Sequence, residues 1–209
     1  MKFVSLISSG IDSPVATYLM SKKADEIILL HGDNRPYTDN KEIKNFLKLA
    51  KYLSKILKCE NKTILIKHGK SLDNYKNNCD NKFTCVFCKR MLLRYAEKIA
   101  NEENASAIIM GDSLGQVASQ TLQNIKTIEQ AVKILVLRPL IGFDKEEVVK
   151  IAKEIGTYNL SILSSKGCTA VPNKPSTQSR LKKILDEESK IDILKLIVEA
   201  TKNRKIVKI

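Results

Sequence analysis

The 209-residue sequence has no apolar run near the ~18 residues that a membrane-crossing helix requires. It also has no internal repeat, no low-complexity tract and no flexible linker. These absences exclude a helical membrane protein, a solenoid and a disordered tail, and they predict one soluble domain. A secretory leader is not expected either. The opening MKFVSLISSGIDS has one lysine and a six-residue apolar run, then meets Asp12 too early, so it reads as a buried strand entering a loop. A cytoplasmic chain with no membrane partner is expected. Five cysteines, an odd number without an export signal, argue against a disulfide framework and for metal or redox roles. Arginine is scarce, with six against thirty lysines.

What is present is a large positive charge, +13 at neutral pH with a pI near 9.5. That is the footprint of a polyanion binder, and it keeps RNA in view as a partner. Lysine enrichment of this kind is also a thermophile signature. Lys182, Lys183 and the stretch Lys202 to Lys208 concentrate the charge near the C-terminus. Hydrophobic residues make up 43% of the chain, enough to bury a core at this length.

Short apolar runs alternate with helical patterns. Strands are expected at 2–7, 26–31, 63–67, 105–110 and 134–137. Helices are expected at 13–22, 39–57, 88–103 and 115–132. Residues 74–84, polar and without periodicity, read as a loop. After Pro139 the strands stop. A helix over 144–155 opens on Asp144 with Glu147 three residues on, a capping-box pattern, and ends at Gly156. Residues 160–176 read as irregular, and helices follow at 177–187 and 192–202. This order predicts an α/β fold: a doubly wound, parallel five-stranded sheet with helices on both faces (residues 1–143), followed by a helical C-terminal extension (residues 144–209). Ligands in such sheets bind beyond the carboxyl ends of the strands. That rule gathers Ser8 to Ser13, His31 to Arg35, the loop before Cys85, and Gly111 to Gln120.

The loop SSGIDS follows a strand and opens a helix, so small residues and a helix N-terminus combine into an anion cradle. No Gly-Lys-Ser/Thr follows, which excludes a Walker loop. It resembles the SGGxDS signature of the PP-loop ATP pyrophosphatases: Ser8, Gly10, Asp12 and Ser13 match, and Ser9 replaces the first glycine. The second string is GDSLGQVASQTLQN, Gly111 to Asn124. Together with LRPLIGFDKEEVVKIAKEIGT, CVFCKRM and Gly167-Cys168, it is similar to the tRNA 4-thiouridine synthetase (ThiI) family, which also serves thiamine synthesis. The resemblance runs from about residue 3 to the C-terminus.

It implies a PP-loop fold that binds ATP with Mg²⁺, adenylates a carbonyl oxygen of uridine in tRNA and replaces that oxygen with sulfur, releasing AMP and pyrophosphate. By position, Ile7, Ser8, Ser9, Gly10, Asp12 and Ser13 would hold the phosphates, with Asp12 also counted as catalytic. Leu30 and His31 would lie near adenine or ribose. Lys89 or Arg90 would counter phosphate charge. Gly111 and Gln120 would touch the nucleotide, and Asp112 would stand on the magnesium side. The ferredoxin-like, THUMP and rhodanese domains of longer relatives are not expected in this sequence. A separate THUMP-type RNA-binding partner, a sulfide or persulfide donor and a homodimer are therefore expected as partners.

Cys85 and Cys88 form C-x-x-C at a helix start beside Lys89 and Arg90, a setting expected to lower thiol pKa values. With Cys168 they match the archaeal pattern of the family, which implies a 4Fe–4S or 3Fe–4S cluster on Cys85, Cys88 and Cys168. A persulfide or disulfide relay through Cys88 and Cys168, or zinc, are the other readings of the same three residues. Cys79 is a candidate further ligand and Cys59 a bystander. Two other functions stand beside thiolation. One is a PP-loop ligase acting on a small molecule; the other is a non-catalytic nucleotide- or cluster-binding subunit.

Overall fold

The computed structural model of the chain describes residues 1–208. Six strands form one sheet: β1 (Lys2–Leu6), β2 (Glu26–Asp33), β3 (Glu60–Lys67), β4 (Ala107–Ile109), β5 (Leu135–Leu137) and β6 (Lys205–Val207). Their spatial order is β5-β4-β1-β2-β3-β6. The first five are parallel, and β6 runs antiparallel along the β3 edge, pairing Ile206 with Ile64. The chain therefore returns to the sheet after its C-terminal helices, a sixth strand where only helices were expected.

Strand alternation assigns the two faces, because successive side chains point to opposite sides. Val4, Leu6, Ile28, Leu30, Ile64 and Ile66 share one buried cluster with Phe87, Met91, Tyr95 and Ile99 of α4 (Thr84–Glu103). α9 (Ile193–Lys202) adds Leu196 and Ala200 to it. Phe3, Ile7, Ile27 and Leu29 pack on the other side against Val15 and Ala16 of α1 (Asp12–Ser21) and Phe46, Leu49 and Leu53 of α2 (Asn40–Ile56). Val148 and Ala152 of α6 (Lys145–Glu154) complete that layer. Each fully buried side chain of this size stabilises the fold by about 1.5–3 kcal/mol relative to exposure.

Several helix ends follow from local chemistry. Asp39 caps α2 by accepting from the Glu42 amide. Asp144 and Glu147 form the reciprocal capping box of α6, as their spacing predicts. Two expectations fail. Residues 69–78 form α3 (Gly69–Asn78), whose buried face of Ser71, Leu72 and Tyr75 is too narrow to show in a polar sequence. Residues 115–121 are not helical apart from a 3₁₀ turn at Ala118–Gln120: Gly115 takes φ +76° and Val117 is extended. The helix there, α5, spans only Leu122–Glu129. Between α6 and α8 (Leu181–Glu188) lies the mostly irregular segment that carries Cys168, with α7 (Tyr158–Ser161) at its start. Among the described residues no helix is long and apolar enough to cross a membrane.

Candidate nucleotide and thiol site

The carboxyl ends of β1, β2 and β4 open onto a cavity of about 550 Å³, within the range of small-molecule sites. Leu6, Leu30, Leu92, Met110 and Val117 give it an apolar wall. Ser8, Asp12, Ser13, Lys89 and Lys145 give it a polar end. An apolar slot joined to a cationic, hydroxyl-rich end suits a flat base attached to a polyphosphate.

The loop after β1 is shaped by its own hydroxyls. The Ser8 amide donates to Ser13 Oγ at 2.9 Å, and the Gly10 amide donates to Ser8 Oγ at 3.2 Å. α1 starts immediately after it with no side-chain capping bond at Ile11, so the first-turn amides face the cavity end of the helix. Gly111 is required by proximity: a Cβ there would stand 2.7 Å from the Ser13 backbone. The glycine lets the segment after β4 close against the phosphate loop.

Asp112 is the buried hub of the polar end, 4% exposed. Lys89 Nζ lies 2.7 Å from Oδ1, Gln120 Nε2 3.3 Å from the same oxygen, and Arg138 Nε 3.3 Å from Oδ2. Burial alone would raise its pKa, but Lys89, Arg138 and the Gln120 hydrogen bond hold the carboxyl below its ordinary range. With a cation on each oxygen, Asp112 holds Lys89 in place. Asp12 is the more open carboxylate, bonded at 2.6 Å to Lys145 from the first turn of α6. Its hard oxygens fit Mg²⁺. Lys145 had no sequence signal, because the capping box beside it explains Asp144 and Glu147 without it.

Three expected residues are placed elsewhere. Arg90 is 1% exposed and points into the core, where Glu188 engages it at 2.8 Å and the Thr127 carbonyl accepts from Nη1. Adjacent helix residues diverge by about 100°, so Lys89 and Arg90 cannot both face the cavity. His31 lies beneath the loop, since strand alternation turns Leu30 and Gly32 to the cavity and His31 away. Its Nδ1 donates to the Ile7 carbonyl at 2.7 Å, and its ring stacks on Phe46 at 4.0 Å. Burial lowers its pKa, which the Ile7 contact only partly offsets. Ser9 turns outward, its Oγ donating to Glu42 at 2.7 Å.

The first turns of α4 carry Cys85, Cys88 and Lys89, and of these Lys89 lines the cavity. All five cysteines are free. Burial pushes the Cys88 thiol up to about 12, with Cys168 and Cys85 adding to the rise and Lys89 opposing it. Cys85 is raised as well, by burial first and then by Cys168. The expected thiolates are thus corrected: desolvation outweighs the helix end and the neighbouring lysine. The mutual influence puts Cys85, Cys88 and Cys168 in one neighbourhood. His68 Nε2, which sequence reasoning missed, lies 3.3 Å from Cys88 Sγ. Among the described residues no three His, Cys, Asp or Glu side chains converge on the position of a single metal ion; three thiols in one neighbourhood are the donor type that an iron–sulfur cluster takes. Cys79 stands apart, donating to the Glu187 carbonyl.

The fold is shared with known proteins. A 4-thiouridine synthetase crystallised with RNA and bound ATP superposes with a TM-score of 0.93 at 34% identity, over 99% of this chain and 54% of that one. The probable tRNA sulfurtransferase of Methanothermobacter thermautotrophicus is 43% identical over 95% of this chain and 51% of its own length. That of Methanobrevibacter smithii is 46% identical over 88% of this chain and 48% of its own. The chain thus spans about half the length of the curated relatives it matches. The family model for the thiamine biosynthesis protein ThiI matches residues 1–193, and the chain belongs to the ThiI family.

Proposed function

We infer that this chain is the ATP-using part of a tRNA sulfurtransferase. It adenylates a uridine carbonyl oxygen and exchanges that oxygen for sulfur, releasing AMP and pyrophosphate. The observation that carries the reading is the junction at α4. Lys89 faces the nucleotide cavity while Cys88, the preceding residue, sits among the other thiols. Activation and sulfur delivery then share one helix end.

ATP seats its base against Leu30, Leu92 and Met110 and its phosphates on the Ser8–Ser13 loop. Asp12 is the carboxylate that would hold Mg²⁺, which shields the triphosphate. The uridine oxygen attacks the α-phosphorus and pyrophosphate leaves. Lys89 and Lys145 are fixed cations where negative charge grows, an effect commonly worth 10²–10³ in rate. The outer sulfur of a persulfide on Cys168 or Cys88 attacks the carbonyl carbon and AMP leaves. The other of the two thiols then attacks the inner sulfur, breaking the S–S bond to free the thiocarbonyl and leaving a Cys88–Cys168 disulfide. An external dithiol reduces that disulfide before a persulfide donor reloads the cysteine. The three thiols are also the donor set of the implied iron–sulfur cluster. The sulfur step is assigned here to sulfur borne on the cysteines themselves. The excess of lysine favours a polyanionic substrate.

The test is an incubation with ATP, a tRNA transcript and a persulfide donor, resolving nucleotides by chromatography and thiolated RNA on a mercury gel. AMP, pyrophosphate and retarded RNA are expected together. Cys168→Ser should keep pyrophosphate release and lose the retarded RNA. Formation of ADP in place of AMP would sink the adenylation reading.

A further inference from the structure

Ser9 is the one position of the phosphate loop where this chain departs from the glycine of the PP-loop signature, and its hydroxyl has a specific partner. Glu42, on the first turn of α2, accepts from Ser9 Oγ on one carboxylate oxygen at 2.7 Å. Its other oxygen accepts from Ser165 Oγ at 3.0 Å. One side chain therefore ties the nucleotide loop to the segment that carries Cys168. A glycine at position 9 has no atom with which to make this link.

The same stretch of chain fixes that segment on either side of Ser165. Asn45 Nδ2 donates to the Leu163 and Ser164 carbonyls at 3.3 and 3.4 Å. The Lys166 amide donates to Asp39 at 3.3 Å, and the Thr169 amide donates to the Tyr37 carbonyl at 2.9 Å. Cys168 sits between the last two anchors. Asn45, Asp39 and Tyr37 act without reference to the phosphate loop; Glu42 alone among these anchors touches both.

We propose that Glu42 is a positioning residue that couples occupation of the phosphate loop to the placement of Cys168, through the bridge Ser9–Glu42–Ser165. Phosphates entering the loop draw its backbone amides inward and so act on the Ser9 hydroxyl. Glu42 passes that change to Ser165, three residues from the thiol. The coupling is reciprocal, as any linkage between two sites must be. It brings the sulfur-bearing residue into register only when ATP is seated, which would limit loss of sulfur to water. The proposal rests on the reading that the nucleotide loop and Cys168 serve one reaction.

The experiment follows Cys168 alkylation by iodoacetamide, read by peptide mass spectrometry, with and without α,β-methylene-ATP at saturation verified by calorimetry. In the unmodified chain the analogue should change the Cys168 rate by about fivefold or more, the lower end of ordinary inter-site coupling. In Ser9→Gly, Glu42→Ala and Ser165→Ala the rates with and without analogue should coincide. Glu42→Gln, which keeps an acceptor for Ser9, should retain part of the difference. Bound analogue with no change in the unmodified chain would overturn the coupling while leaving the proposed function standing, as would a change that persists in both Ser9→Gly and Ser165→Ala. Failure of the analogue to bind at all would overturn both. Ser9→Gly and Ser165→Ala touch no buried core residue, so the test survives if Glu42→Ala does not fold.

Discussion

Lys145 Nζ meets the Asp12 carboxylate at 2.6 Å, joining the start of α6 to the start of α1 across the mouth of the nucleotide cavity. The pair is half exposed on the lysine side, and exposed ion pairs stabilise folds by only about 0–1 kcal/mol. Its value must therefore lie in what it does with a ligand. Lys145→Ala is expected to lower pyrophosphate release by about 10²–10³. The urea midpoint should hardly move. A large loss of stability with unchanged turnover would make the pair structural.

Gly111 tests the closure of the loop itself. An added methyl would stand 2.7 Å from Ser13 Cα and N, and those atoms are backbone, which cannot swing aside. Gly111→Ala should push the segment after β4 off the loop and weaken ATP binding at least about tenfold, or 1.4 kcal/mol. Gly142→Ala, with nothing within 4 Å of the new atom, is the control. Calorimetric titration with a non-hydrolysable ATP analogue separates the two.

How far the sequence carries is visible in particular residues. The strand–loop–helix at Ser8 to Ser13 and the turn at Gly111-Asp112 were legible because glycine, hydroxyl and carboxylate spacing reflects local backbone demands. The capping box of α6 was legible for the same reason. Lys145 and Glu42 were not. Their partners lie 133 and 33 residues away, and a surface lysine or glutamate carries no mark of where it folds. His31 and Arg90 were misplaced by neighbourhood: each is adjacent in sequence to a cavity residue, and strand or helix geometry turns it the other way. β6 was hidden because a three-residue edge strand in a lysine-rich stretch has too little alternation to see.

Glu188 holds the back of α4, and so the helix that presents Lys89 and Cys88. It pairs with Arg90 at 2.8 Å and Arg94 at 2.7 Å, and it is 4% exposed. Glu188→Ala leaves two guanidinium groups without their carboxylate in the core. Breaking a buried pair from one side costs about 3–5 kcal/mol. Equilibrium urea unfolding should show a loss of that size, whereas Glu102→Ala, in a more exposed pair with Arg204, should stay within about 1 kcal/mol.

The pH dependence of stability should carry the signature of His31. Burial lowers its folded pKa below the usual 6.5, so the folded ring stays neutral while the unfolded ring takes up a proton. Stability from this group is therefore complete above about pH 6.5 and declines as pH falls toward the folded value. The slope is about 1.4 kcal/mol per pH unit while only the unfolded state is protonated. Carboxylates such as Glu188, whose folded pKa is lowered by Arg94 and Arg90 against the effect of burial, add their loss only below about 4.5. The window between those values is where the histidine terms can be read; His68, whose folded pKa burial lowers to about 3, adds a decline of its own there, which the His31 variant leaves in place. Urea unfolding at half-unit steps from pH 7.5 to 5 should show the decline in the unmodified chain and a flatter profile in His31→Gln. Glutamine retains a donor for the Ile7 carbonyl but has no proton to gain, so an equally steep decline in the variant would remove His31 as its source.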